Sequence, residues 1–183
     1  MRRFVSRAGE KLDHALTTFG LDVTGFVCAD FGANAGGFTD CLLGRGASKV
    51  YAIDTGYGAL DWKLRNDPRV VVMERTNAMH VSLPEPVDLV TIDVAWTRQR
   101  HIVPAARRAL KPAGAVITLI KPHYEADAKL LVNGVLPRDL LDTTAEQAKR
   151  DISECRFTVI RTVLSPIQGA KGNTEVLALL RLQ

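Results

Sequence analysis

Two charged residues stand where charge is costly. Asp93 follows the apolar run LVTI, and Lys121 follows VITLI. A carboxylate or ammonium at the end of such a run is usually paired, solvated in a cleft, or put to chemical use, because burying it alone costs too much. A second acid, Asp54, closes the run KVYAI. It lies about 20 residues beyond a glycine-rich turn, a separation that suits a carboxylate accepting hydrogen bonds from ribose hydroxyls. The turn reads Ala29-Asp30-Phe31-Gly32-Ala33-Asn34-Ala35-Gly36-Gly37-Phe38. Glycines there permit positive φ and let the backbone approach a ligand, and a following helix offers free N–H groups to an anion. A dinucleotide turn would carry glycine where Asn34 stands, to admit a pyrophosphate. The spacing Gly32, Gly36, Gly37 therefore disfavours NAD or FAD and suits a nucleoside cofactor without pyrophosphate, such as S-adenosylmethionine. The alternatives are structural: a turn that only packs strand on helix, and an Asp93–Lys121 ion pair at a sheet edge.

The surrounding pattern supplies the elements that must hold these residues. Ala8, Leu12, Ala15, Leu16 and Phe19 recur at helical spacing, giving a helix over 7–19 with Ser6 as N-cap and Gly20 as stop. Strand patterns follow at 26–31, 49–53, 70–73, 87–93, 115–120, 157–164 and 175–182, with helices near 37–44, 102–110 and 143–155. Strands alternating with helices predict an α/β fold: a doubly wound, mostly parallel seven-stranded sheet covered on both faces. The last two runs are joined by SPIQGAKGN, without a helical pattern, so they pair antiparallel. Such a sheet holds ligands beyond the carboxyl ends of its strands, where Gly32, Asp54, Asp93 and Lys121 fall.

Composition bounds the rest. The chain fits one domain over 1–183. Its longest apolar stretch, Ala113 to Ile120, is far short of the roughly 20 residues of a membrane span. The basic N-terminus has no apolar segment behind it, so no secretory signal is read there. Cys28, Cys41 and Cys155 form no close pair, and His14, His80, His101 and His123 show no metal-ligand spacing. A reducing, cytoplasmic setting with neither membrane nor metal is the expectation. The net charge is +4, with Arg2, Arg3, Arg7 and Lys11 crowding the N-terminus. Arg98, Arg100, Arg107, Arg108 and Lys111 share a second stretch free of acids. Two basic runs suggest a phosphate-facing surface, against the plainer reading of solvated faces.

The sequence resembles the FtsJ-like RNA 2′-O-methyltransferases, most closely their hemolysin-A branch. The matching segments are FVSRAGEKLDHAL, DFGANAGGFTDCLL, KVYAIDTGYGALDWKLRNDPRVVVMERTN, VDLVTIDV, VITLIKPHYE and GNTEVLALL. They run over nearly the whole chain in the family's order. The resemblance implies a Rossmann-like methyltransferase fold, S-adenosylmethionine as cofactor and ribosomal RNA as substrate. It also implies a Lys-Asp-Lys-Glu tetrad at Lys11, Asp93, Lys121 and Glu175. Periodicity alone would leave Lys11 and Glu175 on the surface. The cofactor site would comprise Gly32, Asn34, Gly36, Gly37, Phe38, Asp54 and Asn77, with Asp93 near the methyl-bearing end. A sulfonium donor needs no metal. Lys121 would steer or deprotonate a ribose 2′-hydroxyl, Asp93 would orient Lys121, and Lys11 and Glu175 would fix the ribose and its phosphate.

Two departures from the family stand out. Full-length members of the branch carry a small RNA-binding domain ahead of the first helix, and here Met1 precedes Ser6 by five residues. Either this sequence is a fragment, or RNA binding rests on the chain's own surface: Arg2, Arg3, Arg7, Trp96, Arg98 and Arg100. After the catalytic Asp the family continues Val-Ser-Phe, whereas this chain reads DVAWTRQR. Trp96 is expected to stack on a base, its plainer alternative being aromatic packing beside the cleft. A non-catalytic RNA-binding scaffold and a small-molecule methyltransferase are the competing functions; a toxin-like role finds no membrane-active segment.

Overall fold

The computed structural model describes residues 3–183, so Arg2 lies outside the described residues. Seven strands form one sheet: β1 (Val27–Phe31), β2 (Lys49–Ile53), β3 (Val70–Met73), β4 (Val87–Ile92), β5 (Leu110–Ile120), β6 (Phe157–Leu164) and β7 (Val176–Leu182). Their order is β3-β2-β1-β4-β5-β7-β6. The first five run parallel; β7 pairs antiparallel with both β5 and β6. The order reverses between β1 and β4, which makes their carboxyl ends the switch point. The doubly wound sheet with an antiparallel final strand is thus present.

Helices α1 (Ala8–Phe19), α2 (Gly37–Gly44), α3 (Trp62–Arg65), α4 (Gln99–Ala109), α5 (Pro122–Glu125) and α6 (Arg138–Glu154) join the strands. Two apolar cores result. One places Leu12, Leu16, Phe38 and Leu42 against one face of the sheet, and the other places Ile102, Val103, Ala148 and Ile152 against the opposite face.

Several boundaries differ from the sequence reading. Helix α1 begins at Ala8 behind Arg7, and Ser6 does not cap it, because its hydroxyl packs against Gly37. Strand β5 starts five residues early, at Leu110, which pairs with Val87 across a register shift that absorbs Pro112 and Gly114. Helices α4 and α6 also start early, at Gln99 and Arg138. Polar residues open both, and an apolar period detects only the turns that face the core.

Asp30 ties three elements together. It is fully buried in β1, accepting hydrogen bonds from Thr39 of α2 at 2.7 Å and Thr91 of β4 at 2.9 Å. Burial pushes its carboxyl up to about 7 against the lowering effect of those two hydroxyls, and Asp93 adds repulsion. An unfolded aspartate titrates near ~3.9. Between about pH 4 and 7 the folded chain therefore holds a proton that the unfolded chain has lost, so Asp30's contribution to stability falls as pH rises through that window. Asp30→Asn keeps one acceptor and gains a donor for the two threonines. Its melting temperature should exceed the parent's by at least about 2 °C near pH 8 and approach it near pH 4. Circular-dichroism melts across that range check this, and a variant less stable at every pH would contradict it.

Candidate active site

The strand registers assemble most of the site. Phe31 pairs with Ile92, so Gly32 and Asp93 leave β1 and β4 side by side, and Asp93 N–H donates to the Phe31 carbonyl at 2.9 Å. Lys121 leaves β5, the other neighbour of β4. In the antiparallel pair, Ile120 faces Val176, which sets Glu175 across from Lys121 at the same edge. Helix α1, packed on α2 and β7, carries Lys11 over this edge.

Four charges meet there as two ion pairs. Lys11 Nζ donates to Glu175 Oε2 at 2.5 Å, with Lys11 9% and Glu175 3% exposed. Lys121 Nζ lies 2.6 Å from Asp93 Oδ1 and donates to the Val94 carbonyl at 3.0 Å. All four line one cavity of about 350 Å³, together with Arg7 and Phe38. The loop ahead of β7 is fixed by Asn173, which accepts from Leu136 N–H and donates to the Gly134 and Ala170 carbonyls. The backbone of Gly169 lies against the Glu175 carboxylate, where a Cβ would collide.

A second cavity, of about 500 Å³, adjoins the first and shares Gly32, Asn34, Asp93 and Ala95 with it. Its walls include Asp54, Gly56, Asn77, Met79 and Ile102. Asp54 organises the floor: Oδ2 accepts from Asn34 N–H at 2.9 Å and Oδ1 from Gly56 N–H at 2.7 Å. Asn77 Oδ1 accepts from Met79 N–H, which leaves its NH₂ as a donor.

Not every expected residue reaches a cavity. Gly32 does, yet the space of its missing side chain is filled by the Asp93 carbonyl, which a Cβ would meet at 2.6 Å. Gly36 and Gly37 line neither cavity; Leu64 fills the space beside Gly36, and Ser6 and Gly9 that beside Gly37. Their glycine character thus serves close packing of the protein on itself, together with the positive φ that the turn adopts at Gly32 and Gly36. Arg3 pairs with Asp13 and lies over the Phe4 ring, and Arg100 sits on α4 with its Nε donating to His101. Neither lines the cleft. Arg7 and the 82%-exposed Trp96 do, and Arg98 lines a neighbouring cavity.

Sequence reasoning passed over His123 and Tyr124, which also line the first cavity. The signal was the polar string KPHYE directly after an apolar strand. Among the described residues, no helix is long and apolar enough to cross a membrane, and no group of His, Cys, Asp or Glu is placed to hold a metal ion.

Comparison with known proteins agrees with this architecture. The model of the FtsJ-like methyltransferase family matches residues 4–182. Hemolysin A of Brachyspira hyodysenteriae is 42% identical over 182 residues, spanning 96% of this chain and 76% of the relative. The 16S/23S rRNA (cytidine-2′-O)-methyltransferase TlyA of Mycobacterium tuberculosis is 39% identical over 188 residues, covering 100% of this chain and 70% of the relative. Among solved structures, a hemolysin-named chain from Streptococcus thermophilus superposes with a TM-score of 0.96 at 37% identity, over 100% of this chain and 68% of that one. The N-methyltransferase NodS of Bradyrhizobium japonicum shares the fold, with a TM-score of 0.68 at 18% identity, over 97% of this chain and 98% of that one. With a family model covering almost every residue and two relatives near 40% identity, the chain belongs to the FtsJ-like methyltransferases.

Proposed function

We propose that this methyltransferase acts on a ribose 2′-hydroxyl of ribosomal RNA, with S-adenosylmethionine as methyl donor. The observation that carries the reading is the convergence of two ion pairs, Lys11–Glu175 and Lys121–Asp93, in a cavity that opens at Asp93 into a nucleoside-sized groove. The rRNA-methyltransferase names of relatives such as TlyA support the choice of substrate.

The groove fits the donor. Its volume of about 500 Å³ lies within the usual range for small-molecule sites. Each Asp54 oxygen has one lone pair committed to a backbone N–H and another left for a ribose hydroxyl. The Asn77 NH₂, Ile102 and Met79 suit an adenine, while Asn34 and Phe38 border the end toward the tetrad. S-adenosylmethionine supplies a methyl group already activated on sulfur.

The protein's part is positioning and proton handling. Aligning an attacking oxygen with its target is worth about 7–11 kcal/mol in favourable cases. Asp93 and the Val94 carbonyl hold Lys121 Nζ from one side, leaving its third valence to face the ribose hydroxyl. Lys121 Nζ steers that hydroxyl and, as the neutral amine with two N–H groups on Asp93 and the Val94 carbonyl, takes its proton on the remaining lone pair. Lys11 and Glu175 hold the ribose and the adjoining phosphate. Arg7, Trp96 and Arg98 grip neighbouring RNA, Trp96 by stacking, so binding weakens as salt rises.

Incubation with methyl-labelled S-adenosylmethionine should place label in ribosomal RNA or subunits, and nuclease digestion should locate it on a 2′-oxygen. Label confined to small metabolites would remove the RNA reading. Cofactor binding without any transfer would favour a scaffold. Lys121→Ala should abolish transfer while S-adenosylmethionine affinity, measured by calorimetry, stays within about threefold, the signature of an interaction used in the transition state. Loss of cofactor binding would instead make Lys121 structural. Lys11→Met should destabilise the fold by roughly 3–5 kcal/mol, since it strands a buried carboxylate. Adding Glu175→Gln should restore most of that stability in denaturant titrations but none of the activity.

A further inference from the structure

His123 is the second residue of α5. It is 6% exposed, its Nδ1 is sealed from solvent without a hydrogen bond, and no side-chain hydrogen bond of His123 is formed among the described residues. Native structures seldom leave a buried polar atom in this state, and the exceptions call for a ligand, a water or a functional reason. The surroundings also keep the imidazole neutral. Desolvation, then the nearby Lys121 and Lys11, pull its titration down to about 4. A neutral imidazole offers one donor and one acceptor at once.

Its place says what it would pair with. His123 and Tyr124 line both the cavity of the tetrad and a neighbouring cavity of about 600 Å³, in whose walls Trp96, Arg98 and Lys171 also stand. The rings of His123 and Tyr124 are 4.1 Å apart, and those of Trp96 and Tyr124 are 6.1 Å apart. The second chamber is therefore aromatic with a cationic rim. A ligand whose sugar lies at Lys121 and whose base extends into that chamber must pass the His123 ring.

We infer that His123 is a substrate-binding residue, hydrogen-bonding the accepting nucleotide where its ribose meets its base. This rests on the RNA reading above. Nδ1 is sealed, so the ring meets the substrate through Nε2, which makes no hydrogen bond among the described residues.

Three proteins test it: the parent, His123→Leu and His123→Gln, each measured for its melting temperature and for methyl transfer to ribosomal RNA. His123→Leu should melt no lower than the parent, because it replaces an unpaired polar ring with an apolar side chain. It should nevertheless raise KM for RNA about tenfold or more, with KM for S-adenosylmethionine within about threefold. His123→Gln, which retains a donor and an acceptor, should recover RNA KM to within about threefold of the parent. An unchanged RNA KM in His123→Leu, with the parent active on RNA, would overturn the assignment and leave the RNA reading standing. So would a His123→Gln variant no better than His123→Leu. A parent that transfers no methyl to RNA would overturn the RNA reading, and this assignment with it.

Discussion

An ammonium withdrawn from water persists only beside a carboxylate, and that requirement binds the first helix of this protein to its last strand. Lys11 and Glu175 are 164 positions apart in the chain and 2.5 Å apart in space. Neither is tolerable in its buried position alone. The apolar face of α1, through Leu12, Ala15 and Leu16, sets the helix on the core, and the pair fixes its position over the sheet edge. The second pair, Lys121–Asp93, has a simpler origin in the parallel register of β4 and β5. Both pairs are already formed in the free protein.

The glycine turn illustrates how one sequence feature can serve a different physical end from the one it suggests. Backbone approach to a ligand was the natural reading of Gly32, Gly36 and Gly37. In the structure the Asp93 carbonyl, Leu64 and Ser6 occupy the space of the missing side chains. The turn can then lie flat on its neighbours, which brings Asn34 N–H to the Asp54 carboxylate in the floor of the groove. The groove is an indirect product of close protein packing.

Much of the fold was legible because its signals are local. The β-rich runs at Lys49–Ile53, Val70–Met73 and Phe157–Leu164 fall on the strands themselves, and Asp93 and Lys121 show as charges ending apolar runs. Lys11 and Glu175 carry no such mark. Their burial depends on α1 crossing to β7, a long-range arrangement that periodicity does not encode, and only family resemblance pointed to them. His123 was read only as a non-ligand for metals, since nothing in its spacing reveals that its Nδ1 lacks a hydrogen bond. Arg3 and Arg100 suggested a nucleic-acid surface by charge alone; in the structure both lie outside the cleft, Arg3 paired with Asp13 and Arg100 on α4.

Strand β7 follows the other six in the chain yet lies inside the sheet, between β5 and β6. On the ribosome, β5 and β6 must therefore wait with open edges until this final segment emerges and slides between them. Until then Lys11 has no counter-ion, and the cleft lacks one wall. The Lys11–Glu175 pair and that wall arrive in one step, with the insertion of a single strand, so a partly made chain can bury much of its core and still lack both.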